Sequence, residues 1–442
     1  MNTTRNRVLW YVFYWVNWGV ILWFWWWISG SLFLQGSASA LVALGRLTGL
    51  AAAYLILLQF FTIGRTPWLE RTFGLDRLSR FHHKSGQWGF LLLLAHPVLL
   101  SFGYAGQLHT GIVAQFLSFL SSDDILQAAI GLGFFTIVVV TSITLARRHL
   151  RYEMWYLVHL IAYVAVFLSF SHQVELGTDL TGSTVFILYW IALYATVFAS
   201  HIVFRIVWPF ILYRRHRFRV ERVERETHDV VSIVIGGEQM DRFRIKPGQF
   251  MILRFLDRHW WQAHPFSLSS LPDSKSLRVT IKAVGDFTRR VEKIGEGTGV
   301  LIEGPYGIFT DGPDTRPKAL LIAGGIGITP VRALFEQLAR LGKDVVLLYS
   351  NRTERDVALR RELEEIVREC SCAKVIHVLT EQPNFAGEKG RLDEGKIQHL
   401  VPDASEREAY VCGPVPMMNA LVPALERIGI PAARIHHEKF AL

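Results

Sequence analysis

Four histidines stand inside otherwise apolar stretches of the chain: His82, His96, His159 and His172. A neutral imidazole nitrogen binds a transition metal without adding a net charge to its surroundings, so an apolar setting tolerates histidine as a ligand. His82 and His96 are 14 residues apart. On a helix that is about 21 Å of rise, ending about 40° short of whole turns, so the two rings share a face. His159 and His172 are 13 apart, a similar difference in depth. Their offset is near 140° on a straight helix, which tilt or crossing must absorb. Any one of the four could be a hydrogen-bonded core histidine; two matched pairs point to ligation. His83 competes with His82, but its 13-residue spacing to His96 fits a shared face less well, and it is expected among headgroups.

These histidines need helices to carry them. A hydrocarbon core about 30 Å thick takes roughly 20 apolar residues per helix. Six stretches qualify: 8–34, 41–63, 83–104, 125–146, 153–173 and 184–212. The first is too long for a cleaved leader, although Ala38-Ser39-Ala40 mimics a cleavage site, and its seven tryptophans from Trp10 to Trp27 are expected at the interface and against lipid. Arg5 and Arg7 precede span one. Arg65, Arg71, Arg77, Arg80 and Lys84 crowd the second connection, Arg147, Arg148 and Arg151 the fourth, and Arg214, Arg215, Arg217 and Arg219 follow span six. The connections at 105–123 and 173–183 contain no Lys or Arg. The positive-inside rule then predicts both termini on the cytoplasmic side. His82 falls level with His159 and His96 with His172. Two opposed imidazoles at each of two depths are what bis-histidine ligation of two b-type haems requires. Arg46, a lone cation at the outer end of span two, reads either as a haem-propionate partner or as a side chain snorkelling to lipid phosphate.

From residue 217 the pattern changes to short alternating runs, Phe218–Val223, Val230–Ile235, Phe250–Phe255 and Leu277–Val284, which predict an antiparallel barrel. Ala319–Ile322, Val345–Tyr349, Val375–Leu379 and Ala409–Val411 alternate with helical stretches and predict a parallel, doubly wound sheet. The run from Gly324 through Gly325, Gly327, Thr329 and Pro330 follows the first of these strands and opens a helix, a setting for a pyrophosphate. The boundaries read as a membrane domain over 1–213, a barrel over 214–315 and a nucleotide domain over 316–442. Cys370, Cys372 and Cys412 are too few for a disulfide framework and fit a reducing compartment. Cys370-x-Cys372 has no further Cys/His set beside it and reads as a surface coincidence. The formal charge of +9 resides in clusters beside apolar runs, which argues for membrane topology and against nucleic-acid binding.

With these pieces in order, the chain resembles the ferric reductase and NADPH oxidase superfamily, in the form of a bacterial NADPH-oxidase-like flavocytochrome b. The spacings of His82 to His96 and of His159 to His172 are similar to that family's haem ligands. His264-Pro265-Phe266-Ser267-Leu268-Ser269-Ser270 resembles its FAD motif, with Ser267 on the flavin and Phe266 beside it. Gly285-Asp286-Phe287-Thr288 resembles its flavin-pyrophosphate loop, Gly324 to Pro330 its nicotinamide-nucleotide loop, and Cys412-Gly413-Pro414 its nicotinamide-side turn. Glu438-Lys439-Phe440 is similar to the terminal segment whose aromatic covers the isoalloxazine. The resemblance implies a multi-domain membrane protein: a six-helix transmembrane bundle plus a ferredoxin-NADP-reductase-like module, itself an antiparallel β-barrel FAD domain and an α/β Rossmann-like nucleotide domain.

The chain departs from that pattern in three places. About seven residues precede span one, so no built-in calcium-binding domain is expected. Leu100 stands where the animal oxidases have a further histidine, which leaves the acceptor open. Phe440 is followed by Ala441 and Leu442. The implied function is electron transfer from NAD(P)H through FAD and two haem b groups to an acceptor across a bacterial-type plasma membrane, with Arg46, Cys412 and Phe440 as the residues nearest the chemistry. The acceptor is expected to be O2, giving superoxide; ferric or cupric complexes and a periplasmic protein partner are the alternatives. Ser350, Asn351 and Arg352 follow the second parallel strand, where an acidic residue would hold the ribose of NADH. Arg352 therefore favours the phosphate of NADPH, with NADH not excluded.

Overall fold

The computed structural model describes residues 3–143, 152–273, 275–312 and 315–440. The chain divides into two compact units, Met1–Leu69 with Arg77–Ile202, and Glu70–Asp76 with Val203–Leu442. Arg147, Arg148 and Arg151 of the fourth connection lie outside the described residues.

The first unit, together with the Glu70–Asp76 stretch of the second, is helical: α1 (Thr3–Ser29), α2 (Ser37–Ile63), α3 (Pro67–Phe73), α4 (Leu75–Leu108), α5 (Ile112–Phe119), α6 (Asp123–Ser142), α7 (Tyr152–Leu168), α8 (Ser171–Glu175), α9 (Thr178–Thr181) and α10 (Thr184–Ile202). The sixth apolar run continues through a π-turn at Val203–Val207 into α11 (Trp208–His216). Among the described residues, six helical stretches are long and apolar enough to cross a membrane, and the chain is an integral membrane protein. Trp15, Trp23, Trp26 and Trp27 are each more than three-fifths exposed on α1, where a bilayer would meet them.

Two spans differ from expectation. Span three begins at Leu75, eight residues before the predicted start, because Leu75 and the buried Leu78 extend its apolar stripe. His82 therefore sits well inside a helix. Span five is broken. Phe170 N–H bonds the Phe167 carbonyl at 3.2 Å and Gln173 N–H the Phe170 carbonyl at 3.1 Å, so the ladder tightens to i→i−3 between α7 and α8. Each residue wound at that pitch advances a side chain about 20° further than an α step. This break supplies part of the His159–His172 offset, a few tens of degrees of the roughly 140°.

Close packing between α2 and α4 sets the rest. A methyl group added at Gly103 would lie 2.6 Å from Val42, at Gly106 2.9 Å from Ala38, at Gly45 2.8 Å from Leu100, and at Gly49 2.5 Å from His96 Nδ1. Small residues let two apolar helices approach to backbone contact where burial from water provides no driving force. The facing pairs run in strict antiparallel register, and His96 is one of the facing positions.

The second unit contains two three-stranded antiparallel sheets. One has the order β1 (Arg219–Arg225), β2 (Val230–Gly236), β5 (Ser276–Lys282); the other β4 (His264–Ser267), β3 (Phe250–Phe255), β6 (Val300–Tyr306). Single bridges from Arg219 to Gly299 and from Leu268 to Val279 join their edges into a closed six-stranded barrel. Its core is filled by Val220, Ile233, Met251, Leu253, Val279 and Ile302, all fully buried. The following sheet is wholly parallel, in the order β10 (Glu388–Lys389), β9 (Ala373–Leu379), β8 (Asp344–Asn351), β7 (Lys318–Gly324), β11 (Glu408–Pro414), β12 (Ile435–Phe440). The helices are α12 (Asp286–Arg290) beside the barrel, then α13 (Ile328–Arg340), α14 (Arg360–Glu369), α15 (Glu394–Leu400) and α16 (Val415–Arg427). Two separate apolar clusters, one with α13 and α14 and one with α15 and α16, cover the two faces of the sheet. β4, β6, β10 and β12 carry too little alternation to be read from sequence: His264–Ser267 is four residues with a proline, and Val300–Tyr306 contains Gly304-Pro305.

Candidate functional site

Within the helical unit the four histidines meet as two pairs. The ring centres of His82 and His159 are 6.0 Å apart, and those of His96 and His172 are 6.4 Å apart. Two imidazoles bound at about 2 Å on opposite sides of one metal ion put their ring centres roughly 6.3 Å apart. Both pairs have the separation that a single iron between them needs. His96 donates its Nδ1–H to the Gly45 carbonyl at 2.7 Å, which fixes the tautomer and leaves Nε2 as the lone-pair nitrogen. Pro97, next to His96 within α4, removes one helical N–H at this point. His159 Nδ1 lies 3.3 Å from Ser142 Oγ, which also accepts from Trp155 Nε1 at 3.2 Å. His83 is instead 3.3 Å from exposed Gln87. These helices can hold two metal-centred macrocycles, at two levels 14 residues apart along α4, and the donor sets fit haem iron.

Arg46 does not reach outward alone. Its guanidinium donates to Ser29 Oγ and to the Tyr104 hydroxyl, both at 3.2 Å, and Ser29 Oγ donates to buried Asp179 at 2.6 Å. Asp179 and Ser29 carry no signal in the sequence: an Asp in a polar loop and a Ser at a helix end acquire a role only when the fold joins them.

In the second unit the flavin-motif residues converge. The His264 and Phe287 rings stack with centroids 4.0 Å apart, and Phe266 lies 6.3 Å from Phe287. The Thr288 hydroxyl accepts from Val284 N–H at 2.9 Å and Gly285 N–H at 2.8 Å, tying the Gly285–Thr288 loop. Ser267 is buried on β4 and its Oγ has no hydrogen-bond partner. A buried hydroxyl normally has one, so the motif presents a donor suited to a flavin. Pro265 is exposed and Ser270 half-buried at the ends of the same segment.

The glycine loop and the Cys412 turn lie on the neighbouring strands β7 and β11, Cys412 opposite Ala323. Gly325 has φ +52°, a left-handed conformation that favours glycine. A methyl group at Gly327 would lie 2.3 Å from the Cys412 carbonyl, and one at Gly413 3.2 Å from Gly324 N. Thr329 and Pro330 are buried at the start of α13, and Pro414 is exposed at the end of β11. Successive strands β7 to β9 run one way from this point and β11 the other, so it is the topological switch point, where nucleotides bind in doubly wound sheets. Cys412 is fully buried, and that burial pushes its thiol well up. Cys370 and Cys372 are free thiols. Arg352 is exposed, 3.8 Å from Glu381. An acidic side chain therefore does stand beside it, contributed by the end of β9 and not by β8. Phe440 is the last residue of β12, paired with Pro414 along the backbone; its side chain lies outside the described residues.

Two buried carboxylates complete this unit. Glu70 accepts the Gly307 N–H at 3.1 Å and is pushed up to about 7 by burial. Glu438 is pushed up to about 8, by burial first and then by the charges of Asp76 and Glu70. Both are candidates for holding a proton near neutrality.

Three family descriptions match the chain in order: a ferric reductase-like transmembrane component over residues 48–170, an FAD-binding domain over 215–310 and an oxidoreductase NAD-binding domain over 321–422. The chain has the NADPH oxidase and ferric reductase type of architecture. Its membrane domain is similar to a ferric reductase-like component, and its second unit is an FAD- and NAD-binding module of the oxidoreductase kind. The reductase subunit of glycine betaine monooxygenase from Chromohalobacter salexigens is 31% identical over 241 residues, 51% of this chain and 64% of that protein. An NADPH oxidoreductase of Mycobacterium tuberculosis is 31% identical over 238 residues, 52% and 61% of the two chains. The chain thus spans less than two thirds of these relatives' length. A cytochrome P450 reductase of Amycolatopsis aligns over 51% of this chain and 70% of its own at 24% identity, with a TM-score of 0.46.

Proposed function

We propose that this oxidoreductase takes electrons from cytoplasmic NAD(P)H through FAD and two bis-histidine b-type haems to an acceptor on the far side of the membrane, and that this acceptor is O2, giving superoxide. The observation that carries the reading is the pairing of His82 with His159 and of His96 with His172 at 6.0 and 6.4 Å. Bound flavin would take a two-electron hydride and the haem irons single electrons, which is why a flavin must stand between nucleotide and iron. The residues divide that work. Gly324, Gly325, Gly327, Thr329 and Pro330 present backbone to the nucleotide pyrophosphate, and Cys412, Gly413 and Pro414 bound the nicotinamide side. His264, Pro265, Phe266, Ser267 and Ser270, with Gly285, Phe287 and Thr288, would hold the flavin. Arg46, steadied by Ser29 and Tyr104, supplies positive charge at the outer end for a propionate or an arriving acceptor. Because His82 with His159 and His96 with His172 would supply the protein ligands of the two haems, an acceptor would receive electrons without binding the metal. The basic connections support a topology with both termini cytoplasmic.

The deciding experiment is a reduced-minus-oxidised spectrum of the purified, FAD-supplemented protein driven by NADPH. Two b-type haems that lose half their number in His96→Leu and in His172→Leu, with flavin reduction intact, are expected; unchanged haem content in both variants ends the assignment. In air, dismutase-sensitive reduction of cytochrome c supports O2 as acceptor. The lack of a histidine at Leu100 favours a second reading, a ferric or cupric metalloreductase, and slow turnover in air that accelerates with ferric chelates would select it. Silence with every small acceptor would select a periplasmic protein partner.

A further inference from the structure

The outer pair of imidazoles is mounted differently from the inner. His159 rides on the unbroken α7, whereas His172 belongs to α8, a helix of five residues beyond the break. So short a helix has no stability of its own, and something else must fix where His172 stands. The Gln173 side chain is placed to do so. At the break Gln173 N–H turns to the Phe170 carbonyl at 3.1 Å, which takes from the Ser169 carbonyl the helical donor an unbroken ladder would give it. Gln173 Nε2 donates to that same Ser169 carbonyl at 2.7 Å. Its Oε1 accepts from Trp190 Nε1 and from the Tyr194 hydroxyl, both at 3.0 Å. Trp190 and Tyr194 are buried one turn apart on α10, and the Tyr194 ring packs 4.8 Å from Phe170 within the break. One uncharged amide thus replaces the lost backbone bond and clamps the kinked segment to another span through two donors. In an apolar interior those bonds have no competing water.

We infer that Gln173 is the positioning residue for the outer iron site: through Ser169, Trp190 and Tyr194 it sets the place and plane of the His172 imidazole opposite His96. The inference rests on the bis-histidine reading of the two pairs. The test uses the full-length purified protein and compares wild type with Gln173→Leu and with the double variant Trp190→Phe/Tyr194→Phe. Haem per chain, the low-spin ferric EPR signals (which depend on the angle between the two imidazole planes) and the two midpoint potentials are measured. Expected in Gln173→Leu is a change confined to one of two haems: a roughly tenfold or greater loss of affinity for it, as when a group behind a metal ligand is removed, or a shifted EPR signal and potential, the other haem being untouched. The double variant should move the same haem in the same direction, and adding Gln173→Leu to it should add little. Two haems with unchanged signals and potentials in Gln173→Leu overturn the inference, as does equal loss from both sites. A wild-type protein without two haems would instead overturn the reading beneath it.

Discussion

Arg278 of the barrel and Glu362 of the nucleotide domain face each other in a two-pronged ion pair, Nη1 to Oε1 at 2.5 Å and Nη2 to Oε2 at 2.7 Å. Arg332, in the helix that opens at the glycine loop, joins the same carboxylate at 2.8 Å and reaches Glu336 at 2.5 Å. One carboxylate therefore holds two guanidinium groups from two domains. Glu362→Gln leaves both with less compensation in a mostly buried place and is expected to cost about 3–5 kcal/mol of stability. Thermal unfolding of the purified protein measures that loss, and stopped-flow flavin reduction by NADPH should slow. Joint replacement of Arg278 and Glu362 by Met and Leu should be much milder; equal damage from both would show that the charges themselves are not what matters.

The buried carboxyls give the reductase unit a pH dependence of known sign. Glu70 and Glu438 are raised from an ordinary 4.5 to about 7 and about 8. The folded chain thus keeps protons that the unfolded chain has released, and stability contributed by these groups is full below about pH 4.5 and lost as pH rises through 7 to 8. The thermal midpoint should fall between about pH 6 and about pH 9, and Glu438→Gln, which removes the charge, should flatten that fall. An unchanged slope in the variant would place the dependence elsewhere.

Nucleotide choice can be read from two side chains. If Arg352 binds a 2′-phosphate, Arg352→Ala should raise the KM for NADPH about tenfold or more and leave that for NADH nearly unchanged. Glu381→Gln, which removes the carboxylate 3.8 Å away, should improve NADPH relative to NADH. Parallel losses for both nucleotides in Arg352→Ala would make it an ordinary solvated arginine.

Asp179 acts on Arg46 through one hydroxyl. Ser29→Ala breaks the chain of hydrogen bonds without touching either charge, so flavin reduction and haem content should hold while the rate of acceptor reduction falls severalfold, about the effect of one hydrogen bond to a charged group. Acceptor titrations with O2 and with ferric chelates measure it. A uniform rate for both acceptors, equal to wild type, would remove Arg46 from the outer chemistry.

Much of this arrangement is legible in the sequence. Apolar length located six spans to within a few residues at most ends, and α spacing placed His82 and His96 on one face because α4 runs unbroken through both. The same arithmetic left His159 and His172 misaligned, since a local change from i→i−4 to i→i−3 bonding has no signature in Ser169-Phe170. Motif order put the glycine loop against the Cys412 turn. Not legible are groups that acquire meaning only by meeting a distant partner: Ser29 with Asp179, Gln173 with Trp190 and Tyr194, and Arg352 with Glu381, whose carboxylate arrives from the end of β9 and not from β8. Glu70 and Glu438 escaped for a related reason, because burial of a carboxylate is decided by what packs over it.

The glycine seam between α2 and α4 behaves as a ruler. Lipid-facing positions of these spans tolerate exchange of one apolar residue for another, since a bilayer asks only for hydrophobicity. Length is another matter. One residue inserted between Gly45 and Gly49, or between His96 and Gly103, would slide every later facing pair by about 1.5 Å and turn it by about 100°, setting bulky side chains against bulky ones and swinging His96 out of line with His172. Natural variation in this pair of helices should therefore run freely in composition at the lipid-facing positions, and hardly at all in spacing or at the seam glycines.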